Sequence, residues 1–182
     1  MKRAAAIGVA ALLAACGGGN SHLSGSIDGH SVDAANAIYL VGKPPSTAAG
    51  DVLIVVTTLA DACAAMQAKE FFKDAQVLSL SLANDIPAIG LEYPPTPGTF
   101  SFDPNAAPGR FATGLFVENK GCSLAVNAPV TSGSVTLDKV GIDSSVKATG
   151  SLELNFASET VTGTFTAPFC DADPAAISAP CQ

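Results

Sequence analysis

The run Ser145-Val-Lys-Ala-Thr-Gly-Ser-Leu-Glu-Leu-Asn-Phe156-Ala-Ser-Glu-Thr160-Val-Thr-Gly-Thr-Phe-Thr-Ala-Pro-Phe169 decides the fold. Side chains along a strand point alternately to opposite faces, so a two-residue period separates a buried face from a wet one. Val146, Ala148, Gly150, Leu152, Leu154 and Phe156 share one face, and Ser145, Lys147, Thr149, Ser151, Glu153 and Asn155 the other. After Ala157-Ser158-Glu159, a break of hairpin-loop length, the pattern resumes. Val161, Gly163, Phe165, Ala167 and Phe169 then face one way, and Thr160, Thr162, Thr164 and Thr166 the other. Two half-buried antiparallel strands are the expectation.

Working outward, 134–138 and 122–127 alternate more briefly and 110–118 is rich in Phe and Val, so the second half reads as a meander of consecutive short strands. In the first half, strands are expected near 23–28, 37–41, 51–58 and 76–82. Val52-Leu53-Ile54-Val55-Val56 is apolar throughout and should be buried on both faces. One helix, over about residues 61–74, interrupts the strands. Asp61 is placed to cap it, and Ala64, Ala65, Ala68, Phe71, Phe72 and Ala75 form an apolar stripe at helical spacing. Cys63 projects from nearly the opposite side. The fold class is therefore mostly β, an antiparallel β-sandwich or a partly open β-barrel with one α-helix. Half of the 12 prolines lie between Asn84 and Arg110, in two stiff loops around one short strand, 99–102. Tyr93, Phe100 and Phe102 on that stretch are the candidate recognition rim; the plainer alternative is that they cover the open end of the sheet.

Composition narrows the function classes. Of 182 residues, 48% are hydrophobic and only 14% charged, with a net charge of -7. A disordered chain needs the opposite balance, and a nucleic-acid binder needs a basic face.

The leader points to an address. Lys2 and Arg3 precede an uncharged stretch, Ala4 to Ala15, that is too short to span a bilayer and has the form of a secretory signal. It closes with Leu13-Ala14-Ala15-Cys16, and here the chain resembles the bacterial lipoprotein family, whose lipobox has this form. The resemblance implies a signal peptide over 1–15, lipidation of Cys16, and a lipidated Cys with a Gly-rich tether over 16–21. A single β-rich domain follows over 22–182. It further implies an exported, lipid-anchored protein whose partner is the membrane itself. Gly17, in place of the Asp that signals inner-membrane retention in enterobacterial lipoproteins, favours the outer membrane of a Gram-negative cell. Acyl chains contribute about 0.8 kcal/mol per buried CH₂, enough for several together to hold a domain at a membrane. Removing 1–15 takes away Lys2 and Arg3 and no acid, so the remaining domain is more acidic still.

With Cys16 assigned to the anchor, Cys63, Cys122, Cys170 and Cys181 remain. An even number in an exported chain reads as two disulfides, and four cysteines allow three connectivities. The preferred one pairs Cys63 with Cys122 and Cys170 with Cys181, because the latter closes a short terminal loop. No Cys-x-x-Cys favours metal or redox chemistry.

Catalytic constellations are scarce. The chain has 2 His, His22 beside the tether and His30 after an Asp28-Gly29 turn, where a solvated surface group is the expectation. There is no Gly-x-Ser-x-Gly and no His-Glu-x-x-His. Asp171-x-Asp173 falls short of the six to eight oxygens calcium takes. No catalytic residue, metal or cofactor is assigned, and no nucleic acid is expected as a partner. A non-enzymatic binding or structural module of the cell envelope is the first expectation, its protein or small-molecule partner unspecified. The alternatives are a small hydrolase using acids near the Pro-rich loops, Glu92 and Asp103, and a β-barrel carrier of a hydrophobic ligand, which needs an open, apolar interior.

Overall fold

The computed structural model describes residues 19–42, 51–70, 72–84, 96–103 and 110–173. In chain order the elements are β1 (Asn20–Ile27), β2 (His30–Ser31), β3 (Asn36–Val41), β4 (Val52–Thr57), α1 (Ala62–Ala68), β5 (Gln76–Asn84), β6 (Gly98–Ser101), β7 (Arg110–Lys120), β8 (Ser123–Pro129), β9 (Ser132–Lys139), β10 (Ala148–Phe156) and β11 (Glu159–Ala167). The alternating run folds as the hairpin β10–β11, in register from Ala148 opposite Ala167 to Phe156 opposite Glu159. β1 starts at Asn20, so two residues expected in the tether belong to the sheet, and Ser21 is buried there.

All the strands join one sheet, in the order β2-β1-β11-β10-β9-β6-β7-β5-β4-β3, with β8 branching from β7. The expected meander is thus corrected at one place. β9 follows β8 in the chain but pairs with β10 and β6, and β6 lies parallel to β7. A short strand flanked by Pro-rich loops carries no local signal of its partner, because parallel pairing is set by the path of the connection.

The sheet curls until its ends touch. Tyr39 donates its N–H to Pro168 O (3.0 Å), Cys170 donates to Tyr39 O (2.8 Å), and Ala37 donates to Gly19 O (3.3 Å). The result is an open, strongly curled sheet, a half-barrel, rather than two stacked sheets. Register slips at Glu118/Asn119 and at Thr149/Gly150 add local bend to the ordinary strand twist. Gly150 is needed at the second slip, since a Cβ there would lie 2.1 Å from Thr136 O and 2.9 Å from Cζ of Phe165.

The concave face holds the main core. Val52, Ile54 and Val56 of β4, Leu78, Leu80 and Leu82 of β5, Leu152 and Leu154 of β10, and Val161 and Phe165 of β11 converge on Tyr39, Phe100 and Phe116. Burying each large side chain contributes about 1.5–3 kcal/mol. A second cluster lies outside the curl, where Ile38, Leu40, Val55 and Val77 meet Ala62, Ala65 and Met66 of α1. β4 is accordingly apolar on both faces, as its sequence reads.

Helix α1 is shorter than expected and buries a different stripe. Lys69 takes a left-handed conformation (φ 55°), and Glu70 N–H bonds to Ala65 O (2.9 Å), which ends the helix at Ala68. Ala62, Ala65 and Met66 face the sheet, whereas Ala64 and Ala68 are exposed. Phe72 and Ala75 are buried from the chain beyond the helix, and the Asp61 side chain makes no capping bond. Among the described residues no helix is long and apolar enough to cross a membrane.

Candidate functional site

At one end of the half-barrel β1, β7 and β10 finish while β5 and β11 begin. Asp28 (φ 55°) and Gly29 (φ 77°) reverse the chain after β1, a turn that favours Asp-Gly. Residues 28–35 then run across this mouth as a strap. Val32 and Ala34 point inward and join the main core, while Asp28, Gly29, Ser31, Asp33 and Ala35 are exposed.

Polar side chains tie the strap to three strands. Gln76, first residue of β5, donates from Nε2 to Ser31 O and accepts the Asp33 N–H at Oε1, both at 2.9 Å. His30 Nδ1 lies 2.9 Å from Oε2 of Glu118 on β7, and Lys120 Nζ lies 3.2 Å from Oε1 of the same carboxylate. Ser26 Oγ donates to Glu159 Oε1 at the start of β11 (2.7 Å), and the Gly29 N–H reaches that oxygen at 3.3 Å. On the β1 side, Ser21 Oγ donates to Ala34 O (2.8 Å).

Two carboxyls in this cluster are held below their ordinary range. For Glu118, partial burial works to raise it, and the Lys120 hydrogen bond, the His30 and Lys120 charges and the Gln76 hydrogen bond outweigh that. For Glu159 the hydrogen bond from Ser26 is the main cause.

Chemically this is a cluster of structural polar ties centred on Glu118. A carboxylate holding Nδ1 of an imidazole is the orienting half of a base, but the Ser26 hydroxyl donates to Glu159 rather than to His30. Among the described residues no group of three or more His, Cys, Asp or Glu could hold a metal ion.

The residues singled out in the sequence are scattered. Phe100 is fully buried in the main core, which corrects its place on a rim; β6 turns it inward opposite Val135. Phe102 is half-buried against the same core and lies over Gly114, so it too covers the sheet. Arg110 sits 5.7 Å from the centroid of Phe100 and donates to Pro97 O (2.8 Å) and Thr96 Oγ1 (3.1 Å). Tyr93, Glu92, Cys16 and Cys181 lie outside the described residues.

The disulfide is Cys63–Cys170, with Cα atoms 5.6 Å apart, in place of the preferred pairing. Cys122 is also disulfide-bonded. The preference rested on a short terminal loop, but the curl brings the chain after β11 alongside α1, so nearness in space overrides nearness in sequence.

His30, expected as a solvated surface group, keeps 38% of its side chain exposed and also pairs with Glu118. Its neighbours Glu118, Gln76 and Glu159 carry no sequence signal of one another because they come from β7, β5 and β11. Only Asp28-Gly29 signalled anything, and it signalled the turn.

The fold and cluster define a class: a mostly β half-barrel with one outer helix, a packed apolar interior and a polar-latched strap across one mouth. No protein-family model, no curated protein and no solved structure matches this chain.

Proposed function

We propose that the chain is a non-enzymatic binding module of the cell envelope, anchored through lipid on Cys16, whose curled sheet takes an apolar ligand. The observation that carries the ligand reading is the concave face, apolar along its length, with one mouth crossed by a strap fixed largely through side chains. Tyr39, Phe100 and Phe116 have no accessible surface at its centre. A guest therefore enters only if the strap lifts and the lining side chains part. The anchor reading is supported by Leu13-Ala14-Ala15-Cys16 alone.

Titration with an environment-sensitive fluorescent fatty-acid analogue tests the ligand half. Saturable uptake at one per chain, displaced by unlabelled fatty acid, is the expected result. No uptake at any pH would leave the core as scaffolding and the module as a structural one. A hydrolase screen with Glu92→Gln and Asp103→Asn tests the enzyme alternative, since turnover lost in either would make the chain an enzyme.

A further inference from the structure

We propose that residues 28–35 are an acid-released cover over the mouth of the half-barrel, latched by Glu118 and Glu159. The strap has little apolar purchase, since Val32 and Ala34 are its buried side chains and both are small. Its backbone ladder to β1 is short, Ser26 opposite Ser31 and Ile27 opposite His30, with two further bonds, Val32 N–H to Gly25 O (3.3 Å) and Ser21 N–H to Ala35 O (2.9 Å). Apart from the packing of Val32 and Ala34, the ties to strands beyond β1 are polar. They run from His30 to Glu118, from Ser31 and Asp33 to Gln76, and from the Gly29 N–H to Glu159.

The charges around the latch favour release in acid. From β7 come Glu118 and Lys120, from β11 Glu159, from β5 the uncharged Gln76, and from the strap itself Asp28, His30 and Asp33. Val126 of β8, opposite Glu118 in register, is apolar. While Glu118 is ionised it sits between His30 and Lys120 and holds both. Once it takes a proton, the carboxyl no longer attracts either group, and both ties weaken together. Protonating Glu159 weakens the tie to Ser26 and Gly29 at the same time.

The direction follows by linkage. Both carboxyls have folded values below the ordinary 4.5, so their contribution is fully present above that value and is lost as pH falls through the folded ones. The barrel core, being apolar, carries no such dependence. A region can open locally at lower free energy than the whole when few buried contacts hold it.

Hydrogen exchange of the full chain in detergent, corrected for the intrinsic rate, tests this. Between pH 7 and about pH 3.5, peptides over 28–35 should lose protection about tenfold or more while β10 and β11 keep theirs. In Glu118→Gln the strap should already be weakly protected at pH 7 and respond less to acid. Gln76→Ala should lower its protection at every pH and, because the Gln76 hydrogen bond helps hold Glu118 ionised, should reduce the acid response without abolishing it. Glu159→Gln, at a half-buried site at the start of β11, serves should Glu118→Gln fail to fold. Loss of protection in strap and strands together, or an unchanged acid response in both Glu variants, would overturn the latch. The apolar guest rests on the reading above and is scored separately. Release without uptake of the fatty-acid analogue would keep the cover and remove the ligand.

Discussion

Tyr39 and Phe169 meet edge to face, ring centroids 5.4 Å apart and planes 66° to one another, where the two ends of the curled sheet touch. Tyr39 does a second thing from the same position. Its hydroxyl lies 2.8 Å from Val146 O and 3.0 Å from Asp143 O, in the connection between β9 and β10. One side chain thus joins the closure of the sheet to the loop beside it.

Tyr39→Phe should keep the aromatic contact and remove the hydroxyl. The loss is expected to be about 1–2 kcal/mol, the range for a buried hydrogen bond whose acceptors are only partly rehydrated. Chemical denaturation reads it as a lower midpoint with unchanged slope. A loss near zero would mean that water replaces the hydroxyl at no cost.

The disulfide Cys63–Cys170 spans 107 residues and fixes α1 to the segment that closes the sheet. Removing it by Cys63→Ala with Cys170→Ala should cost about 5 kcal/mol on loop-closure grounds, less where Cys122's bond already constrains the unfolded chain. Alkylation under denaturing, non-reducing conditions should find no thiol at Cys63, Cys122 or Cys170. Labelling of any of the three would contradict the bonded state.

Phe165 is buried against Gly150, whereas Thr164 beside it is exposed. Phe165→Ala should cost about 3–5 kcal/mol, from lost burial plus the cavity left behind. Thr164→Ala should cost well under half of that. Equal shifts in denaturation midpoint would contradict the observed register, because a slip of one residue exchanges the two faces.

Cys16→Ser should abolish incorporation of labelled fatty acid and leave an uncleaved or mislocalised precursor. Equal labelling of the mutant would remove the lipoprotein assignment and, with it, the envelope location proposed above.

What the sequence by itself determined is what depends on neighbours along the chain. The period of two in 145–169 specifies β10, β11 and which of their faces is wet, because a strand's side chains alternate whatever it pairs with. The all-apolar run 52–56 shows both faces of β4 buried. Asp28-Gly29 specifies a turn because it suits two consecutive residues at positive φ. Only the tertiary structure decided what depends on meeting in space. Lys69, which nothing nearby forbids in a helix, ends α1 through a left-handed conformation. β6 inserts between β9 and β7, and with it Phe100 turns from rim to core. The curl carries Cys170 to Cys63, 107 residues away in sequence. It also places His30, Glu118, Gln76 and Glu159 around one strap, although they are 30 to 159 residues into the chain. Such a cluster has no sequence period, because each member occupies an ordinary end-of-strand or turn position and only the closing of the sheet makes them neighbours.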